Sequence, residues 1–160
     1  MALRIIYTLF LGVFLAIFIG VGIAAFYPGP TYPNMPPVLK YCSPDIVQDA
    51  EKFAEYSKQA QLFDTQEKVY QKAEQLYSRN VSIAAIIGAI LVVIASLTLF
   101  KKIKVLADGL LLGGVLTLVY SVIRGFGTED NMFRFLVVAI GLATTLALGY
   151  IKFILPQKEK

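Results

Sequence analysis

The chain has 160 residues, of which 57% are apolar and 16% are charged, and its formal net charge is +4. A soluble domain usually contains about 45–50% apolar residues, so this composition argues against a water-soluble fold and favours a membrane protein. The sequence contains no histidine, no tryptophan and one cysteine, which excludes imidazole chemistry, paired-cysteine zinc sites and an intramolecular disulfide.

Four long apolar runs account for this composition. They cover residues 5–26, 81–100, 105–123 and 135–150. A membrane-spanning helix needs roughly 20 apolar residues, because the hydrocarbon core is about 30 Å thick and a helix rises about 1.5 Å per residue. The sequence therefore predicts an all-α integral membrane protein with four transmembrane helices. We expect residues 1–26 to be an uncleaved anchor, because the apolar part of a signal peptide is usually about 7–15 residues long.

Residues 27–43 are predicted to be a Pro-rich connector on the outer surface. Half of the residues in the stretch 28–37 are proline, and proline favours extended polyproline geometry over a helix. A docking strip for a partner protein is the alternative interpretation of this stretch. Cys42 follows it, and we expect a plain thiol there, with an intermolecular disulfide as the alternative.

Residues 44–80 are predicted to form an extracytoplasmic helical hairpin between the first and second spans. Apolar residues recur there at intervals of three and four, which is typical of one helix face. Asp64 and Glu67 have the spacing of a capping box, with aspartate in place of the usual serine or threonine. We therefore expect a turn at 62–65 between two short helices. A single helix over residues 44–100 is the competing prediction.

Residues 81–155 are predicted to be a three-helix transmembrane region, and residues 156–160 a cytoplasmic tail. Short segments enriched in Lys and Arg remain on the cytoplasmic side of a membrane. The basic residues that would lie on that side are Arg4, Lys101, Lys102, Lys104, Lys152, Lys158 and Lys160. The predicted location is thus the cell membrane, with both termini cytoplasmic.

Small residues four apart mark candidate helix-packing positions, because they let helix backbones approach closely. The candidates are Gly12, Ala16, Gly20 and Ala24 in the first run, Gly109 and Gly113 in the third, and Ala139, Ala143 and Ala147 in the fourth. We expect these stripes to face inward in a compact bundle. A homodimer contact through the first stripe is the alternative.

Three charged residues at the ends of the apolar runs are candidates for interface charges. Lys104 and Asp108 are one helical turn apart and can pair. Arg124 ends the third run and is expected to extend toward the acidic residues that follow it. A transporter normally carries an ionisable group deep in the bilayer, whereas Asp108 lies near the start of its run, so proton or ion handling is the alternative role. Thr128 is expected to cap the fourth span.

The arrangement of four spans with a large first external loop is similar to that of claudins and tetraspanins. The cysteines and tryptophan of their loops are missing here, so no family is assigned. The sequence favours a structural, assembly or accessory subunit that is not an enzyme and needs no metal or other cofactor. Its expected partners are the lipid bilayer and either a membrane protein or a second copy, met through the hairpin and the Pro-rich strip, but not nucleic acid. A small oligomeric transporter or channel is the alternative.

Overall fold

The computed structural model describes residues 2–40, 50–98 and 103–154, and these residues form helices and no strand. The helices are α1 (Ala2–Phe26), α2 (Pro37–Lys40), α3 (Ala50–Thr98), α4 (Lys104–Gly125) and α5 (Asn131–Gly149), and a π-helical turn, Tyr150–Ile154, follows α5. Four helical segments are long and apolar enough to cross a membrane: α1, α3, α4 and Asn131–Lys152. The predicted all-α fold with four candidate spans is confirmed to this extent.

Some predictions concern residues outside the described part of the chain. These are the chemistry of Cys42, the helix start at 44, the lysines at 101 and 102, and the tail at 156–160.

The chain divides into two compact units. One, here called the helical unit, contains Met1–Pro28 and Ser78–Lys160, and the other, here called the strip unit, contains Gly29–Tyr77. The boundaries follow the chemistry of the sequence, because the strip unit holds most of the prolines and most of the charged residues between the first two apolar runs.

The predicted hairpin is wrong, because α3 continues without interruption through residues 62–65. The side chain of Asp64 does not cap a new helix there. It accepts a hydrogen bond from Lys68 Nζ at 2.7 Å, one turn further along the same helix. Thr65 Oγ1 donates to the Gln61 carbonyl at 2.8 Å, which is also a bond within the helix. Without a glycine or proline between residues 50 and 87, nothing in the sequence breaks the backbone.

In the helical unit, α4 is the central helix, since α1, α3 and α5 all contact it. α1 runs parallel to α4, because Leu11 packs on Gly109 and Leu15 packs on Gly113. α3 runs in the opposite direction, as Ser82 contacts Ser121 while Ser96 contacts Ala107.

α5 also runs opposite to α4. Val137 packs on Gly125 near the end of α4, and Lys152 contacts Asp108 near its start. The beginning of α1 and the end of α5 therefore lie at the same end of the helical unit.

A short turn connects α4 to α5, and it is capped by a different residue from the one predicted. Asp130 Oδ1 accepts hydrogen bonds from the backbone nitrogens of Met132 at 2.9 Å and Phe133 at 3.2 Å, which satisfies donors that the helix start leaves open. Thr128 Oγ1 instead donates to the Gly125 carbonyl. Arg134 Nε donates to the Thr128 carbonyl at 2.6 Å and ties the turn to the first helical residues of α5.

Spin labels in the strip unit will test the unbroken helix. In an Ala54→Cys, Gln71→Cys, Cys42→Ser variant, we expect a label separation of about 26 Å, because 17 residues of helix rise about 1.5 Å each. Pulsed dipolar spectroscopy on the protein in detergent measures this distance. A separation near 10 Å, the usual distance between packed helices, would instead support a hairpin.

A glycine substitution will test the contact between α1 and α4. A Cβ at Gly113 would lie 2.7 Å from Leu15 Cδ2 and 3.1 Å from the Gly12 carbonyl oxygen, so we expect Gly113→Ala to lower the free energy of unfolding by about 1–2 kcal/mol through overpacking. Reversible unfolding in mixed detergent micelles measures this change. Gly22→Ala is the matched control, because a Cβ at Gly22 meets nothing within 4 Å. Equal stability of the two variants would contradict the close contact.

Candidate functional site

Small residues recur every seven positions on both α3 and α4, where the two helices pack in opposite directions. The facing pairs, which we call the small-residue ladder, are Ser82 with Ser121, Ala89 with Gly114, and Ser96 with Ala107. A Cβ at Gly114 would lie 3.4 Å from the Ala89 carbonyl oxygen and 2.7 Å from Val93 Cγ2. The two backbones are thus close enough that a larger residue at the middle pair would separate them.

Hydroxyl groups join the ladder at both ends. Ser82 Oγ donates to the Ser121 carbonyl at 2.9 Å, and Ser121 Oγ donates to the Ser82 carbonyl at the same distance. Ser96 Oγ donates to the Ala107 carbonyl at 2.6 Å. Ser82 and Ser121 are 0% exposed, so each hydroxyl needs a partner inside the protein. These bonds are interhelical, in contrast to that of Thr117, which bonds the Gly113 carbonyl of its own helix.

The structure brings together three of the predicted packing glycines. Gly12, Gly109 and Gly113 are all buried where α1 meets α4. A Cβ at Gly109 would lie 2.6 Å from Leu11 Cδ2, and one at Gly12 would lie 2.9 Å from Leu112 Cδ2. Leucines of each helix therefore fill the space that the glycines of the other leave open.

The other predicted packing residues lie further from the interior. Gly20 and Ala16 are half-buried, and a Cβ at Gly20 would be 3.8 Å from Tyr120, an ordinary contact. Ala24 is exposed. On α5, Ala139 is half-buried while Ala143 and Ala147 are exposed, although we expected them to face inward. The buried apolar residues of α5 are Val137 and Leu148 instead.

The predicted charged residues do not form one cluster. Asp108 forms an ion pair with Lys152 at the end of α5. Lys104, its expected partner, is exposed, and Arg124 is half-buried near the opposite end of α4. The distant partner could not be recognised from the sequence, because Lys152 reaches Asp108 only once α4 and α5 are packed in opposite directions.

In the strip unit, the proline segment packs on one line of aromatic residues. The Tyr32 ring lies edge-on to Phe63, with centroids 6.4 Å apart, and to Tyr70, with centroids 5.1 Å apart. A Cβ at Gly29 would lie 3.2 Å from Tyr77 Cε1, so glycine permits the close approach at that point. Because Phe63, Tyr70 and Tyr77 are seven residues apart, they form a line along the helix that the proline segment covers.

A groove of about 320 Å³ lies at one end of this covered line. Its lining residues are Pro36, Glu55, Lys58, Gln59, Leu62, Phe63 and Gln66. The groove is open and carries both apolar and charged side chains. It is therefore a surface depression between the proline segment and the helix.

An uncovered apolar row lies beside the groove. Leu62, Val69 and Leu76 are 57%, 65% and 55% exposed, and they are again seven residues apart. We call them the apolar row. The ion pair between Asp64 and Lys68, at 2.7 Å, is on a different face of the same helix, and its hydrogen bond raises the pKa of Lys68. The sequence did not indicate this row, because Leu62 was expected in the turn of the hairpin and Val69 and Leu76 on the apolar stripe of its second arm.

Among residues 2–40, 50–98 and 103–154, no three His, Cys, Asp or Glu side chains are placed to hold a metal ion. Comparison of the chain with protein-family models, curated proteins and solved structures finds no match.

Removal of one hydroxyl will test the ladder. Ser121→Ala deletes the bond to the Ser82 carbonyl, and we expect it to lower the free energy of unfolding by about 1 kcal/mol, the scale of interhelical hydrogen bonds in membranes. Reversible unfolding in mixed micelles measures the change. Thr145→Ala is the matched control, because Thr145 is exposed and bonds only the Gly141 carbonyl of its own helix. A loss no larger than that of Thr145→Ala would contradict a stabilising role for the ladder hydroxyl.

Proposed function

We propose that this chain is a small non-catalytic subunit of a membrane assembly. The helical unit lies in the cell membrane with both termini on the cytoplasmic side, and the strip unit meets a partner membrane protein on the other side. The single observation that carries this proposal is the apolar row, three large side chains that are more than half exposed within a polar part of the chain. Exposed apolar surface edged by polar residues is typical of protein interaction sites.

The packing of the strip unit supports the same function. The proline segment covers the aromatic line and leaves the neighbouring row open. The helix therefore has one face that is packed within the chain and one apolar face that is exposed for contact. Proline also limits the conformations of the unbound segment. A partner that binds beside it therefore meets a surface that loses little conformational entropy on binding.

The position of Asp108 favours this proposal over a transporter. A proton or ion pathway normally uses ionisable groups within the membrane interior. Asp108 is instead the fifth residue of α4 and pairs with Lys152 at the same end of the helical unit. This placement suits an interfacial ion pair that joins α4 to α5.

Purification from native membranes will test the proposal. The full-length chain, extracted in mild detergent through an affinity tag, is expected to carry a second polypeptide in a fixed molar ratio. Quantitative mass spectrometry measures that ratio, and an unrelated tagged multi-pass protein of similar size is the control. Recovery of the chain alone as a monomer would contradict the proposal. Proton-dependent flux in vesicles that disappears in Asp108→Asn would favour the transporter instead.

A further inference from the structure

The apolar row has a basic edge on one side. Lys58 precedes Leu62 by four residues and Lys72 precedes Leu76 by four, so both lysines lie on the same side of the row. Both are exposed, and no ion pair among the described residues involves either of them. Their aliphatic stems extend the apolar surface, while their amines place positive charge along its margin.

Acidic residues of the same helix lie mostly elsewhere. Glu67 and Glu74 follow Phe63 and Tyr70 by four residues, so they lie beyond the line that the proline segment covers. Glu55, at the groove, and Glu51, seven residues before Lys58, are the exceptions, and both precede the row. From Lys58 to Leu76 the open face is therefore apolar with a cationic margin.

We propose that this face binds an amphipathic helix of another protein whose apolar residues repeat every seven positions beside Asp or Glu. The inference rests on the proposed function and specifies the chemistry of the partner. Leu62 to Leu76 spans about 21 Å, since 14 residues rise about 1.5 Å each, so the partner helix contributes about four turns. Its carboxylates lie near Lys58 and Lys72, where opposite charges set the register of paired helices.

A second copy offers these lysines no carboxylate. If two copies packed side by side in the same direction through the apolar row, the two-fold axis would place Lys58 and Lys72 of one helix beside the other side of the partner row, which holds the neutral residues Gln59, Gln66 and Ala73. An acidic partner instead places opposite charge beside both lysines.

A photo-crosslinking experiment tests this partner chemistry in the full-length chain. Benzoylphenylalanine at Val69 is activated in native membranes, and the crosslinked segment is identified by mass spectrometry. We expect a segment of another polypeptide with seven-residue apolar spacing and net negative charge. The matched position is Gln71, which is exposed on the opposite face of the same helix, and we expect a yield there at least about fivefold lower, because contact is confined to one helix face.

Two charge variants then test the basic edge. Lys58→Gln with Lys72→Gln is expected to lower the crosslinking yield at Val69 about threefold, as two exposed charge pairs are lost. Lys40→Gln with Lys68→Gln is the control, because it removes two exposed lysines of the strip unit that lie off the row. We expect this control to retain the original yield.

The outcomes separate this inference from the proposed function. Adducts to a second copy, to lipid or to a basic segment would overturn the acidic-helix partner, as would no adduct at Val69. A folded Leu62→Gln, Leu76→Gln variant that still co-purifies with the second polypeptide would also overturn it, because the contact would then lie away from the apolar row, whereas the co-purified polypeptide would still support a subunit of an assembly. If no polypeptide co-purifies with the wild-type chain, both proposals fail.

Discussion

Close approach of helix backbones along α4 is the constraint on which the helical unit depends. Lipid tails solvate leucine as well as a neighbouring helix does, so apolarity alone does not hold membrane helices together. Dispersion contacts and interhelical hydrogen bonds must do so, and both require short distances. α4 provides them on adjacent faces, since Gly113 faces α1 while the next residue, Gly114, faces α3.

The strip unit does not depend on small residues between close backbones. The part of α3 that belongs to it, residues 50–77, carries many polar side chains. Its apolar contacts are aromatic, and Tyr32 packs edge-on against two rings one heptad apart. Such ring pairs add to the stability that burial of their surface provides. One seven-residue line on the helix is thus covered from within the chain, whereas the neighbouring line is left open. This contrast, rather than apolarity alone, is the reason that we propose the open line as an interaction surface.

Sequence patterns predicted four helices long and apolar enough to span a membrane, because the length of an apolar run is a local property. Three of the small residues singled out by their spacing, Gly12, Gly109 and Gly113, are buried. The hairpin prediction failed because Asp64 has the same spacing to Glu67 in a capping box as in a continuous helix, and its bond to Lys68 decides between them. The seven-residue spacing of Ser82, Ala89 and Ser96 is present in the sequence. Its role in helix packing is recognised only once the small residues of α4 with the same spacing are seen to face it. Lys152 and Asp108 are distant in sequence, so no local pattern could have paired them.

Because the small residues of the ladder are evenly spaced, their size alone does not fix how far α3 is shifted along α4. The hydroxyl groups of the ladder do fix it. If α3 slid along α4 by one heptad, Ser82 would face Gly114 and Ala89 would face Ala107, so the two pairs that remain within the ladder would still be small. Steric fit at these pairs therefore does not exclude the shifted position. The reciprocal bonds between Ser82 and Ser121 form in the observed position only. These two hydroxyl groups therefore distinguish the observed alignment of α3 and α4 from the shifted one, which steric fit alone does not.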